Sequence, residues 1–380
     1  MRKEVMIVTG EASGDLHGAN LVRAMLGQAE GLLFCGMGGD ELATCGMEIL
    51  CDAKKVAVVG ITEVLAHLGD IIRSRKVLVD RLRHRPPDLL ILIDLPDFNL
   101  PLARKAKQYG IPVFYYITPQ VWAWRSGRVK TIGERADKVG VILPFEEEFF
   151  RQRGVDAHYV GHPLLDSVRV TTTPEEFCLA HGIPHSARRV CLLPGSRKSE
   201  IGFLLPKFIE AARMLQHGSR EEMVFLLPLA STLSEQDLLE NGLAGAADVN
   251  LRVVLGQRYE VMAACEAAIA ASGTVTLELA LLDIPMVVSY RLSPLTYHLG
   301  RMLVKLDHFS LVNLIAGSGV VPELLQDQVS PENICRHVRQ MLDGGDYRQT
   351  ILQGLAKVRQ SLGGQGASER AARLALQMLQ

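Results

Sequence analysis

Apolar runs of strand length alternate with stretches whose apolar residues recur every three or four positions, from one end of the chain to the other. In the first half, runs at 5–9, 32–36, 89–93, 113–116, 139–142 and 158–160 predict strands. In the second half, runs at 190–193, 223–227, 251–254, 267–270 and 286–289 do the same. Helical spacing predicts helices over 16–26, 63–83, 102–108, 207–216 and 274–282. A buried strand followed by a helix and another buried strand reads as a parallel unit, so the chain is expected to be α/β with doubly wound sheets.

The rhythm pauses between Gly161-His162-Pro163 and Pro174 and restarts at Val190-Cys191-Leu192-Leu193. From Pro331 onward the pattern is helical only, broken at Gly344-Gly345 and Gly363-Gly364-Gln365-Gly366. The expected division is 1–165, 166–342 and a helical remainder, 343–380. A length of 380 residues supports two domains. Open sheets of this class take ligands beyond the carboxyl ends of their strands, so the turns there hold the candidate chemistry.

Gly10-Glu11-Ala12-Ser13-Gly14-Asp15 follows the first strand. Its glycines suit a close backbone approach to a ligand, and Ser13 or Asp15 suits a helix cap; a plain strand-to-helix turn explains the pattern equally well. It matches neither G-x-G-x-x-G nor the P-loop. Asp94-Leu95-Pro96-Asp97-Phe98-Asn99 ends the run at 89–93. Capping accounts for Asp97 or Asn99 but not for Asp94, whose carboxyl directly follows apolar residues and is expected to be more basic than usual.

Leu193-Pro194-Gly195-Ser196-Arg197 places an arginine, a bidentate partner for phosphate, after the first strand of the second half; the plainer alternative is a surface loop. Ser272-Gly273-Thr274 ends another strand and opens a helix, whose N–H groups and dipole favour phosphate. Glu278, on the opening turns of that helix, suits ribose hydroxyls.

Trp122 and Trp124 lie close to Arg125, Arg128 and Lys130. Core packing accounts for one ring; aromatics beside cations also suit a sugar phosphate or a lipid headgroup. In the helix predicted at 63–83, Val64, Leu65, Leu68, Ile71 and Ile72 share one side, and Arg73, Arg75, Lys76, Arg81 and Arg83 crowd the later half. From pattern alone, packing on its own sheet outweighs contact with an anionic bilayer.

Charge and composition narrow the partners. Lys plus Arg (41) against Asp plus Glu (42) gives a net charge of −1, which disfavours nucleic-acid binding by bulk charge. Seven cysteines without a C-x-x-C pair read as those of a reduced, cytosolic protein. No apolar run reaches the length of a bilayer span, and the N-terminal residues are too few for a signal h-region. Without a D-x-D pair no metal ion is expected, so leaving-group charge would fall to Arg197 and a helix dipole.

These motifs, taken in order with Gln120-Val121-Trp122-Ala123-Trp124-Arg125, Val312-Asn313-Leu314-Ile315-Ala316-Gly317 and Gly366-Ala367-Ser368-Glu369-Arg370, resemble the bacterial lipid-A-disaccharide synthases over nearly the whole chain. The resemblance implies the GT-B fold: two Rossmann-like doubly wound domains facing a cleft, with the last helices crossing back to the first. It implies an inverting glycosyltransferase without a cofactor. Its donor would be UDP-2,3-diacylglucosamine, its acceptor 2,3-diacylglucosamine 1-phosphate (lipid X), and its products a β-1,6-linked disaccharide 1-phosphate and UDP. Asp94 then matches the general base for the acceptor 6-hydroxyl, and Glu11, Arg197 and Asn313 match further residues tied to activity. Gly195, Ser196, Arg197, Ser272, Gly273, Thr274 and Glu278 fall to UDP, while Ser13, Gly14, Asp97, Trp124 and Arg125 are candidates for the acceptor side. Val64, Leu65, Leu68, Ile71 and Ile72 match a membrane-facing helix, which reverses the reading from pattern alone. A peripheral place on the cytoplasmic face of the inner membrane is implied, and a homodimer through the C-terminal helices. Val312 departs from the proline common before the asparagine. A UDP-N-acetylglucosamine 2-epimerase and a nucleotide-sensing membrane scaffold are the competing readings.

Overall fold

The computed structural model describes residues 2–56, 68–124, 127–292, 297 and 306–380, with the side chains of Lys55 and Trp124 excepted. Val64, Leu65, Arg125 and the Trp124 side chain therefore lie outside the described residues. Contacts divide the chain into two units, one of Met1–Asp166 with Gly364–Gln380 and one of Ser167–Gly363. Of the expected helical remainder, 343–363 stays with the second unit and only the last segment belongs to the first.

Among the described residues the first unit carries seven strands: β1 (Lys3–Val8), β2 (Leu32–Gly38), β3 (Glu48–Asp52), β4 (Leu89–Ile93), β5 (Val113–Tyr116), β6 (Lys138–Val141) and β7 (Ala157–Tyr159). They pair in parallel in the order β3-β2-β1-β4-β5-β6-β7. The apolar runs reflect burial on both faces. In β4, Leu90 and Leu92 join a core on one side, while Leu89, Ile91 and Ile93 join a core on the other. The helix Leu68–His84 adds Leu78 and Leu82 to the first of these cores, and the C-terminal helix Ala367–Gln377 adds Ala371, Ala372 and Ala375 to the second.

On the helix Leu68–His84 the expected apolar side splits in two. Ile71 packs against the core, whereas Leu68 is 45% and Ile72 60% exposed. Arg73, Arg75 and Lys76 are exposed beside them.

The second unit carries β8 (Arg188–Leu193), β9 (Met223–Pro228), β10 (Leu251–Val254), β11 (Ala267–Ala271), β12 (Met286–Tyr290) and β13 (Glu323–Leu325) among its described residues. They too are parallel, in the order β10-β9-β8-β11-β12-β13. Each sheet thus reverses its winding once, between β1 and β4 in the first and between β8 and β11 in the second. Ligands of open α/β sheets bind at such reversals.

Candidate active site

In the first unit the register sets Val8 beside Leu92, so the turns leaving β1 and β4 run together. Gly10 is required there for packing: a Cβ on it would collide with the Leu95 side chain. The helix Ala12–Leu26 starts after Glu11 without a side-chain cap. Neither expected cap is made. Ser13 is exposed, Gly14 is buried, and Asp15 turns to another element. Its carboxylate accepts the N–H groups of Gly39 (2.7 Å) and Glu41 (2.9 Å), which caps the short helix Asp40–Thr44.

The β4 turn is conformationally unusual. Asp94 and Leu95 both have φ of +47°, in the left-handed region that non-glycine residues rarely occupy. Asp94 is half-buried. Burial first, and the Glu11 carboxylate second, push its pKa up to about 6, against the Leu95 N–H that favours the charged form. The result is a carboxylate mostly ionised at neutral pH yet more basic than an ordinary aspartate, which suits proton abstraction. Glu11 and Asp94 are thus brought into electrostatic reach.

Asp97 and Asn99 do not cap. The helix they begin spans Pro96–Gln108, with proline in its first turn, so both lie inside it. Asp97 is exposed and ion-paired with Arg128. The Asn99 amide is buried and donates to the carbonyls of Ile93 (3.1 Å) and Asp94 (2.8 Å). Trp122 is the packing tryptophan: its indole N–H donates to buried Glu146 (2.9 Å) and its ring meets Phe145 edge-on at 5.0 Å. Burial holds the Glu146 pKa up at about 7.

In the second unit Ala270 pairs with Leu193, so the turns leaving β8 and β11 are neighbours. Gly195 has φ of +120°, and a Cβ there would run into Glu200. The Glu200 carboxylate accepts the Ser196 N–H (3.0 Å) and the Arg197 guanidinium (3.1 Å), while the Thr232 hydroxyl donates to the Ser196 carbonyl (2.6 Å). Arg197 is the N-cap residue of the helix Lys198–His217, and its side chain is 58% exposed.

Next to it, Ser272 donates through its N–H to the Ser289 carbonyl (3.0 Å) and through its hydroxyl to the Phe309 carbonyl (3.0 Å). Gly273 has open space where a side chain would stand. Thr274 caps the helix Val275–Leu281 by position only, without a side-chain bond. Glu278 in that helix is buried and ion-paired with Arg258. Burial raises its pKa and Arg258 opposes the rise.

Asn313 is placed differently from the other candidates. It is 1% exposed, and its amide is engaged within its own loop, accepting from Val320 (2.8 Å) and Val321 (2.9 Å) and donating to the Val321 carbonyl (2.9 Å). Sequence reasoning missed Glu200, Arg258 and Tyr290. Tyr290 ends β12, where burial and the Glu200 charge raise its pKa, and its ring lies 5.9 Å from Phe309. Glu200 carried a signal, an acid three residues into a helix reaching back to its start; the other two carried none. Among the described residues no three His, Cys, Asp or Glu side chains gather as metal ligands.

A family model described as lipid-A-disaccharide synthetase matches residues 5–378. The chain belongs to the lipid-A-disaccharide synthetase family. As a member it is an enzyme, a glycosyltransferase of lipid A disaccharide synthesis. The lipid-A-disaccharide synthase of Syntrophus aciditrophicus is 48% identical over 377 residues, 99% of this chain and 98% of that one. The Geobacter sulfurreducens lipid-A-disaccharide synthase is 47% identical over 375 residues, covering 99% and 97%. Among solved structures, a putative UDP-N-acetylglucosamine 2-epimerase from Listeria monocytogenes superposes with a TM-score of 0.67 at 13% identity, covering 99% of this chain and 95% of that one. MurG from Acinetobacter baumannii gives 0.61 at 16% identity, covering 99% and 100%. These likenesses establish the GT-B fold, which lipid-A-disaccharide synthetases share with epimerases, so architecture alone does not separate the two activities.

Proposed function

We propose that this glycosyltransferase joins UDP-2,3-diacylglucosamine to lipid X with inversion at the anomeric carbon, and that Asp94 takes the proton from the acceptor 6-hydroxyl as its oxygen attacks. The observation that carries the assignment is the place of Asp94, half-buried in a left-handed turn at a sheet reversal, where burial and the Glu11 carboxylate raise its pKa. Asp97 is the weaker candidate because it is exposed and paired with Arg128.

The donor falls to the second unit. Arg197 and the backbone of Gly195 and Ser196 would meet the diphosphate, with Gly273 leaving room and Ser272 and Thr274 beside it. Negative charge growing on the departing UDP would be countered by the guanidinium and by N–H groups at the helix start. Glu278 would accept the ribose hydroxyls, with Arg258 paired to it and opposing the rise in pKa that burial causes. Asn313 would serve by fixing its loop. On the acceptor side Ser13 and Gly14 line the β1 turn.

A peripheral place on the cytoplasmic face of the inner membrane fits exposed Leu68 and Ile72 among cationic side chains. No helix among the described residues is long and apolar enough to cross a membrane. Replacing Leu68 and Ile72 by serine is expected to move protein from the membrane to the soluble fraction with an unchanged thermal transition.

Mass spectrometry of products from UDP-2,3-diacylglucosamine and lipid X tests the reaction. The expected product is the tetraacyl disaccharide 1-phosphate, formed with UDP. Conversion of UDP-N-acetylglucosamine to its manno epimer instead would return the epimerase reading, and absence of UDP release would return the scaffold.

A further inference from the structure

Tyr115 is fully buried in an apolar core that includes Leu90 and Leu92, where a phenylalanine would pack as well. Its hydroxyl nevertheless has a specific destination. Tyr115 stands opposite Leu92 in the β4–β5 register, and its hydroxyl reaches past the strand end to donate to the main-chain carbonyl of Asp94 at 2.7 Å. The Asn99 amide donates to the same oxygen at 2.8 Å. The Asp94 N–H donates to the Ile117 carbonyl at 3.1 Å, and the Leu95 carbonyl accepts the Asn99 N–H at 2.9 Å.

Two successive non-glycine residues in the left-handed region are disfavoured by crowding between Cβ and the carbonyl oxygen. Such a turn persists only where its surroundings over-determine it. Here the ties come from a neighbouring strand and from the following helix, and both side chains that make them are fully buried, away from any substrate.

We propose that Tyr115 and Asn99 are positioning residues for the glycosyl-transfer reaction: by gripping the Asp94 carbonyl they hold the left-handed turn that aims the Asp94 carboxylate. This rests on the reading of Asp94 as the base. Neither residue touches a reacting atom. Their contribution is to keep the base in register, where a displacement of an ångström or so is felt in turnover.

The test uses the full-length enzyme with UDP-2,3-diacylglucosamine and lipid X. Tyr115→Phe removes one donor and keeps the packing; Asn99→Leu removes the other at similar volume. Each is expected to lower kcat by roughly 10-fold, with KM for both substrates held within about twofold and a cooperative thermal transition retained. Asp94→Ala is expected to lower kcat by ~10²–10⁴-fold, and adding Tyr115→Phe to it should cost nothing more, because the two act through one group. A Tyr115→Phe enzyme with kcat within about twofold of the parent, beside a crippled Asp94→Ala, overturns the positioning role and leaves the base in place. Multiplying losses in the double variant overturn it too, since Tyr115 would then act elsewhere. Normal turnover in Asp94→Ala removes the base reading and this proposal together.

Discussion

The two sheet reversals hold their charged groups in opposite ways. In the first unit the turn after β4 departs from ordinary backbone geometry, and its carboxylate is left beside another carboxylate, partly desolvated. In the second, the charges are already paired: Arg197 with Glu200, and Glu278 with Arg258. The first arrangement raises the free energy of an ionised group and makes it a better base. The second lowers the cost of holding charges in place until a charged ligand exchanges with them. On the proposed reading, one region reacts and the other binds.

That contrast is most exposed at Asp94. Asp94→Ala is expected to cut kcat by ~10²–10⁴-fold while UDP binding, measured by calorimetry, stays as it was. Near-normal turnover would end the contrast and direct attention to Asp97. In the other region Arg197→Ala is expected to lower kcat/KM by ~10²-fold, with a weaker affinity for UDP, as for loss of one charge-stabilising group. If UDP affinity were unchanged, the second region would not be the receptor.

A stability measurement sharpens the difference further. Because the Asp94 pKa is raised, the folded state carries a penalty when the group is ionised, present above about pH 6 and absent below the ordinary carboxylate value. Asp94→Asn should therefore stabilise the fold by about 1–2 kcal/mol at pH 7–8, after discounting for partial exposure, and by little at pH 3.5. Asparagine also tolerates the left-handed region, so the backbone does not oppose the change. A variant destabilised at pH 8 would contradict the desolvated-carboxylate picture. The smallest effect is on the pH profile. Turnover should decline as pH falls through about 6, and Glu11→Gln, by removing the neighbouring negative charge, should shift that acid limb to lower pH. A limb that stays where it was would separate Glu11 from Asp94.

Most of the two sheets was legible because parallel strands covered on both faces are written as unbroken apolar runs. Those at 89–93 and 113–116 are observed with the same limits. The edges are mixed: β10 was legible at 251–254 although it is an edge, whereas β3, whose residues are exposed or half-buried throughout, and β13, which spans only three residues, were not. The helix expected over 102–108 begins earlier, at Pro96, and accommodates Pro101 inside it. In the site, Asp94 stood out because an acid directly after five apolar residues has no ordinary explanation. Its turn geometry, and the grip of Tyr115 from the next strand, depend on tertiary contacts that leave no local trace. Asp15 shows the reverse hazard: it sits in a motif suggestive of ligand binding, and its carboxylate serves a different helix.

The last helix completes the first unit, supplying Ala371, Ala372 and Ala375 to its core, and Asp166 accepts the N–H groups of Gly366 and Ala367 at the start of that segment. A ribosome therefore emits every residue of the second unit as one uninterrupted stretch, whereas the first unit lacks a structural member until residues 364–380 have followed it. The nascent chain can close its middle before its beginning.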